Sequence, residues 1–390
     1  MTCHIMPTYS RLPVTFSKGN GVWLWDHYNK RYLDALSGIA VCNLGHAHPA
    51  IQQAICAQSG KLLHTSNLYG IETQERLADR LSQLSGLDSV FFCNSGSEAN
   101  ETAIKLARLY GHNRGIQTPT IIVMEKSFHG RTLGSLSATG NTAIQTGFTP
   151  LLEGFLHVPY NDIEAIERVI NQHDDIVAIL TEPVQGEGGV NIPDADYLNR
   201  MRELCDRHEL LMMLDEVQTG IGRTGKFLAY QHNHILPDVC TLAKALGNGV
   251  PIGACLARGQ AAQILTAGKH GSTFGGNPLA CSAALAVLQT LENEALISPV
   301  TRKGQTLCNA LGERLENAPH VSNIRNKGLM IGIDLAKPCT DLVKRALSEQ
   351  SLLINVTAKN TIRLLPPLII NDTQIDVLAD RLADLVQTHN

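Results

Sequence analysis

Leu210–Gly220 reads LLMMLDEVQTG, and Thr241–Ala254 reads TLAKALGNGVPIGA. The apolar run Leu210–Leu214 does not alternate with polar residues, as expected of a strand covered on both faces, and it ends at an acid, Asp215. Four further runs have the same character: Ser89–Cys93, Thr120–Met124, Ile176–Thr181 and Val239–Leu242. Amphipathic stretches separate them. In Asp196–His208, for example, Leu198, Met201 and Cys205 fall on one helical face. This alternation predicts an α/β fold with a mainly parallel central sheet.

The ends of the chain read differently. VWLWDHYNKRYLDAL (22–36) predicts a hairpin around Tyr28–Lys30 with Asn29 in the turn, and the region after about Leu291 starts helix-rich. The expected organisation is a large domain over 51–285 and a smaller α+β domain built from both termini, 1–50 and 286–390. A chain of 390 residues is long enough for this and for a large core.

Composition narrows the function classes. The hydrophobic share is 44% with 17% charged, and the net charge is −4 without a long basic run, which disfavours nucleic acid or an anionic membrane as partner. No apolar stretch approaches the roughly 18 residues of a membrane span, and MTCHIMPTYSRLP lacks the apolar region of a signal peptide. Ten scattered cysteines, none in a CxxC, read as free thiols in a reducing cytoplasm.

Several segments could carry chemistry. Lys244, among small apolar neighbours, is desolvated, which favours the neutral amine that can form a Schiff base with an aldehyde. Asp215, at a strand's carboxyl end, can hold a proton on a heteroaromatic nitrogen. Together they suit pyridoxal phosphate; taken alone, they fit equally well a core-edge aspartate and a solvated loop lysine. Ser95, Gly96 and Ser97 lie between a strand and a helix, where unpaired N–H groups and hydroxyls make a phosphate cradle or an ordinary N-cap. Phe128 and Arg131, in FHGR, follow the strand Thr120–Met124, so a stacking ring and a carboxylate-binding fork would gather where strand ends open. Arg363, between Ile362 and Leu364, demands an anion, and Glu187 in QGEGG is the candidate partner.

Other patterns mislead. Gly220, Gly222 and Gly225 satisfy a dinucleotide-type glycine spacing, but no apolar helix begins there; Lys226 is followed by Phe227 where a P-loop needs Ser or Thr. His46 and His48 in GHAHP have no further ligand at metal spacing, and Pro49 reads as a helix start.

Seven motifs occur in order: LGHAHPAI, FFCNSGSEANETAIKLAR, SFHGRT, TEPVQGEGGV, LDEVQTGIGRTG, LAKALGNGVPIGA and HGSTFGGNPLA. From about Val14 to the C-terminus the chain resembles the class III (ornithine-type, subgroup II) aminotransferases of fold type I, which depend on pyridoxal 5'-phosphate. The resemblance implies that Lys244 anchors the cofactor and shuttles a proton, that Asp215 pairs with the pyridine nitrogen and that Gln218 points to the phenolic oxygen. It implies that Ser95, Gly96 and Ser97 hold the phosphate, with Phe128 on one ring face and Val217 on the other. Ser272 and Thr273 would reach the cofactor of the neighbouring subunit, which implies a homodimer with shared sites. Arg131 and Arg363 would bind carboxylates, with Glu187 masking Arg363 when an ω-amino donor is bound.

IAVCNLGH and LLHTSNLY are most similar to members that use N²-acetylornithine and 2-oxoglutarate in arginine biosynthesis, and Ile39 stands where ornithine-specific members carry a tyrosine. N-succinylornithine, ornithine or N-succinyl-diaminopimelate as donor is the alternative within the class, with an aminomutase or racemase beyond it. Two departures are Asn248, where a glycine is usual, and Ser97, where threonine is common. A non-catalytic binding protein on the same fold would have lost Lys244 or Asp215, and both are present.

Overall fold

The computed structural model describes residues 4–389; Met1–Cys3 and Asn390, at the outer ends of the expected domains, lie outside the described residues. Three sheets organise the chain. β1 (Phe16–Asn20), β2 (Trp23–Asp26) and β3 (Arg31–Asp34) form an antiparallel ribbon near the N-terminus. The turn between β2 and β3 carries Asn29 at φ 62°, as the hairpin reading expects. Asp26 closes it by accepting the Tyr28 and Lys30 amides on Oδ1.

The second sheet holds β4 (Ser89–Cys93), β5 (Thr120–Met124), β6 (Phe155–Val158), β7 (Ile176–Thr181), β8 (Leu211–Asp215), β9 (Val239–Leu242) and β10 (Gly253–Ala257). Its order is β4-β10-β9-β8-β7-β5-β6, parallel except for β10, which runs antiparallel to both β4 and β9. β5, β7 and β8 are buried along their whole length, which explains their unbroken apolar sequence. Asp215 is the last residue of β8 and pairs in register with Thr241. β6 and β10 were not visible in the sequence: FLHV is short with a polar third position, and GACLA is made largely of small residues.

The C-terminal region contributes β11 (Val321–Lys327), β12 (Met330–Leu335), β13 (Leu352–Leu353), β14 (Asn355–Thr357) and β15 (Thr361–Leu364). Four of these form a sheet of order β11-β12-β15-β14, while β13 crosses to pair parallel with β3, Leu352 opposite Leu33. The first and last parts of the chain therefore share a sheet.

Two features behind the central strand ends matter for the site. Ser37, Gly38, Ile39 and Ala40 all have positive φ (47°, 64°, 67° and 57°), a turn of left-handed helix. Such a turn costs about 1–2 kcal/mol for each non-glycine residue, so it persists only where its surroundings fix it. Asp34 does so by accepting the Leu36 and Ser37 amides at 2.9 and 2.8 Å, and the Ser37 hydroxyl donates to Leu365 O at 2.6 Å. Arg223 is fully buried and crosses between segments, donating to Leu329 O, Pro366 O, the Asn43 side chain and Ser37 Oγ. Burial pushes its guanidinium down to about 9, with Asp34 opposing that shift.

Candidate active site

The carboxyl ends of β4, β5, β7 and β8 open onto one cavity of about 370 Å³. Ser95, Gly96, Ser97, Phe128, Arg131, Asp215, Val217, Gln218 and Lys244 line it, so the structure brings nine residues singled out in the sequence to one place. They come from segments far apart in the chain but lie at equivalent ends of neighbouring strands.

At the floor, Ser95 caps the helix Gly96–Asn113, its side chain accepting the Glu98 amide. The amides of the first helical turn have no intrahelical acceptor, and the helix dipole favours an anion there. A Cβ on Gly96 would come within 2.7 Å of the Val217 side chain, so glycine lets the backbone and Val217 approach. A Cβ on Gly130 would meet Ser97 Oγ in the same way. Ser97 Oγ also accepts the amides of Arg131 and Thr132, both at 3.3 Å, and lies 2.7 Å from Ser135 Oγ.

Asp215 is held from three sides. Its Oδ2 accepts from Asn100 Nδ2 at 2.7 Å and lies 2.8 Å from His129 Nδ1, while Oδ1 accepts the Val217 amide at 3.0 Å. Asn100 is itself aligned by His129 O and the Thr241 hydroxyl. His129 Nε2 is buried without a partner among the described residues. The Glu182 carboxylate accepts the Phe128 and Gly186 amides. Burial pushes Glu182 up to about 7, against the pull of His129 and with a further push from Asp215.

Lys244 sits at φ 44°, separated from the end of β9 by Ala243. Burial lowers its ammonium below the ordinary lysine value, with Glu187 opposing and Arg363 reinforcing. The loop that follows is fixed by Asn248, also left-handed at φ 45°. Its Oδ1 accepts the Leu44 amide at 2.9 Å and its Nδ2 donates to Gly45 O at 3.2 Å. Asn248 thus ties the Lys244 loop to the segment that brings Val41 to the cavity wall.

Arg363 is fully buried in β15 and reaches the same region from the C-terminal sheet. Its Nη1 donates to Glu187 Oε1 at 2.7 Å and to Gln218 Oε1 at 3.1 Å, and its Nη2 to Asn355 at 2.8 Å. Burial alone would raise the Glu187 carboxyl, but Arg363 outweighs it and holds the group below the usual range. Ser272 and Thr273 do not line this cavity. They line a neighbouring one of about 360 Å³ with Asn94, Glu98 and Glu101, and Asn94 borders both.

His46 lies 2.7 Å from Asp34 and His48 lies 3.5 Å from Glu294. The glycines at 220, 222 and 225 lie in a run of turns, with only a short 3-10 helix following at Ala229–His232. Asn100, His129, Glu182 and Asn248 were not given roles from the sequence. His129 and Asn100 sit inside motifs quoted above, but nothing in the spacing says that both turn toward Asp215.

A desolvated amine, a fixed carboxylate, a helix-end anion cradle and apolar walls at Phe128 and Val217 match the donor set that pyridoxal phosphate requires. The profile of the family described as Aminotransferase class-III matches residues 5–386. The chain belongs to the class-III aminotransferases. An acetylornithine aminotransferase from Nitrosomonas europaea is 56% identical over 98% of this chain and 97% of its own length. A protein of the same name from Methanocaldococcus jannaschii is 47% identical over 97% and 94%. Among solved structures, the acetylornithine aminotransferase of Elizabethkingia anophelis superposes with a TM-score of 0.88 at 37% identity, covering 98% of this chain and 96% of that one. The ornithine aminotransferase of Toxoplasma gondii gives 0.94 at 34% identity, covering 98% and 92%. This class-III aminotransferase therefore has relatives of both names in the same fold.

Proposed function

We propose that the chain is a pyridoxal-phosphate-dependent transaminase that moves the δ-amino group of N²-acetyl-L-ornithine to 2-oxoglutarate, giving N-acetyl-L-glutamate 5-semialdehyde and L-glutamate, as in arginine biosynthesis. The observation that carries the chemistry is Lys244 and Asp215 facing one cavity whose floor is the Gly96–Ser97 helix end. The donor assignment rests on the curated relatives, 46–56% identical over nearly the whole chain and named acetylornithine aminotransferase. Ile39 supports it. It packs beside Ala40, Val184, Val190, Met330 and Leu365 and offers no hydroxyl to a free α-amino group.

Pyridoxal phosphate, when bound, supplies an aldehyde for amine exchange and a ring that takes up the electron pair left when a C–H bond breaks. Lys244 would hold that aldehyde and would take and return a proton at the substrate carbon. Burial, by lowering its basicity, favours the neutral amine that both duties need. Asp215, oriented by Asn100 and His129, would present its carboxylate to the ring nitrogen and hold a proton there. Gln218, on the cavity wall, would meet the phenolic oxygen. The Ser95, Gly96 and Ser97 cradle would take the phosphate, and Phe128 and Val217 would lie against the ring. Arg131 takes the donor's carboxylate. Arg363 takes that of glutamate once Glu187 turns aside, which lets one site serve two differently shaped amines.

A homodimer with shared sites belongs to the same reading. Leu62, Leu63, Leu68, Tyr69 and Phe274 are exposed large apolar residues, a composition that marks association surfaces. Asn67 binds Ser272 O and Gly275 O, placing the 61–70 segment beside the Ser272–Thr273 loop. In this reading Ser272 and Thr273 serve the other subunit's phosphate. The large domain spans 51–285, the smaller one 1–50 and 286–390, and the enzyme works in the cytoplasm. Among the described residues no helix is long and apolar enough to cross a membrane.

The test is a half-reaction. The protein is loaded with pyridoxal phosphate and the cofactor's absorbance followed on adding N-acetylornithine or ornithine without acceptor. Fastest conversion to the amine form with N-acetylornithine supports the assignment; faster conversion with ornithine overturns the donor and leaves the chemistry.

A further inference from the structure

Arg131 stands between the catalytic cavity and an outer cavity of about 520 Å³, which Glu187 also lines. Its guanidinium carbon lies 5.7 Å from the centroid of the Phe128 ring, and among the described residues no hydrogen bond or ion pair holds the guanidinium itself. A fork so free meets a carboxylate in one place only if its backbone is fixed. The fixing comes from a cluster of hydroxyls behind it. Ser97 Oγ accepts the Arg131 and Thr132 amides, and lies 2.7 Å from Ser135 Oγ and 3.0 Å from Thr132 Oγ1. The Thr132 and Ser135 hydroxyls are 2.8 Å apart.

The cluster ends on Glu101, whose Oε1 accepts the Thr132 hydroxyl and, at 2.9 Å, the Ser135 amide. Glu101 stands one helical turn beyond Ser97 on the helix Gly96–Asn113, so both side chains leave the same face. Ser135 is the third residue of the helix Leu133–Ala138, and Thr132, at its N-cap, makes no side-chain cap bond. Glu101 supplies that cap from the neighbouring helix. Two glycines make room. A Cβ on Gly134 would fall on the Glu101 carboxylate, and a Cβ on Gly130 on Ser97 Oγ and Ser135 Oγ. Proton counting gives the cluster one direction. A carboxylate only accepts, so the Thr132 hydrogen goes to Glu101; Ser97 Oγ, already accepting two amides, must donate. Its one hydrogen goes to Ser135, to Thr132 or to an anion in the cradle, and its lone pairs hold the Arg131 backbone in every case.

We infer that Glu101 is a positioning residue for substrate: by anchoring Thr132 and Ser135 it sets where the Arg131 fork stands, and so how tightly the cavity holds the carboxylate of an incoming amine. This rests on the reading of Arg131 as a carboxylate-binding residue and adds to it the residue that aims it. Glu101 does not line the catalytic cavity; it lies on the wall of the neighbouring one, with Ser272 and Thr273. Its action on substrate therefore passes through the segment 131–135. One oxygen takes both bonds, so an amide oxygen in the same place serves equally.

The test uses the pyridoxal-phosphate-loaded enzyme with N²-acetylornithine as donor and 2-oxoglutarate at saturation. Glu101→Ala is expected to raise KM for the donor roughly ten-fold, the order of two lost hydrogen bonds, with kcat within about two-fold. Glu101→Gln keeps the accepting oxygen and should restore the KM of the wild type. Thr132→Val removes one of the two bonds and should give an intermediate rise; it carries the test if Glu101→Ala does not fold. An Arg131→Met background separates aiming from general support of the fold: with the guanidinium gone, neither Glu101→Ala nor Thr132→Val should raise KM further. Amide hydrogen exchange over 131–135 should quicken in Glu101→Ala and not in Glu101→Gln. An unchanged KM or unchanged exchange in Glu101→Ala, losses that multiply in the Arg131→Met background, or a Glu101→Gln enzyme as impaired as Glu101→Ala overturns the inference and leaves the proposed function standing. An Arg131→Met enzyme with the KM of the wild type overturns the carboxylate-binding role of Arg131, and this inference with it.

Discussion

Arg363 Nη1 and Glu187 Oε1 lie 2.7 Å apart, with the arginine side chain fully buried and the glutamate side chain 31% exposed. The asymmetry matters. Glu187 can turn toward the outer cavity it already lines, whereas Arg363 is fixed by Asn355 and Gln218 and must then find another anion. Removing the glutamate's charge exposes that demand. Glu187→Gln should raise kcat/KM for L-glutamate relative to N-acetylornithine by about ten-fold, one charge-assisted contact's worth. Paired half-reactions with the two donors measure the ratio, and an unchanged ratio removes the masking role.

Lys244→Ala removes the one lysine among the described residues on the catalytic cavity wall. Turnover should fall on the order of 10⁴-fold, the upper range for loss of a positioned acid–base group. The absorbance of lysine-bound cofactor should vanish while the fold, read by circular dichroism, persists. A variant that still turns over at a tenth of the wild-type rate contradicts the assignment.

His46 offers a stability test. Burial alone would lower its pKa, but Asp34 at 2.7 Å outweighs it and the group rises from 6.5 to about 9. Because the folded state holds the proton more tightly, this contribution is complete below about 6.5 and is lost as pH rises through about 9. The urea midpoint should therefore fall across that window, and His46→Gln should flatten the fall. A parallel decline in the variant assigns the slope to other groups.

Asn248→Gly restores the more usual glycine and relieves a left-handed asparagine, but loses the bonds to Leu44 N and Gly45 O. Two hydrogen bonds contribute about 1–3 kcal/mol and the relieved backbone offsets about 1 kcal/mol. A net destabilisation of roughly 1 kcal/mol is expected by urea titration, with a weaker hold on the segment carrying Val41. A stabilised variant means that the clamp does nothing for the fold.

The sequence disclosed the parts of the fold that rest on burial from both faces, such as β5, β7 and β8, because a short unbroken apolar run is stable only where both faces are covered. It also disclosed nine of the residues lining the cavity, since ordered motifs carried them. It did not disclose β10, whose small residues look like loop, or the left-handed turn at Ser37–Ala40, where only Gly38 hints at positive φ. The Asn100–Asp215–His129 arrangement was hidden for a different reason. Its members sit on a helix, a strand end and a loop, and their convergence depends on sheet order rather than on spacing along the chain.

The parallel pairing of β3 with β13 has a consequence in time. Leu33 leaves the ribosome long before Leu352, so that sheet cannot close until the whole central sheet between them has been made. Arg363 follows β13, and the buried Arg223 needs Leu329 O and Pro366 O to satisfy it. The nascent chain can assemble the central sheet, with Asp215 and Lys244 at its edge, well before the carboxylate-binding wall exists. On the proposed function, the residues that would hold the cofactor are thus made before the C-terminal sheet that would discriminate among amines.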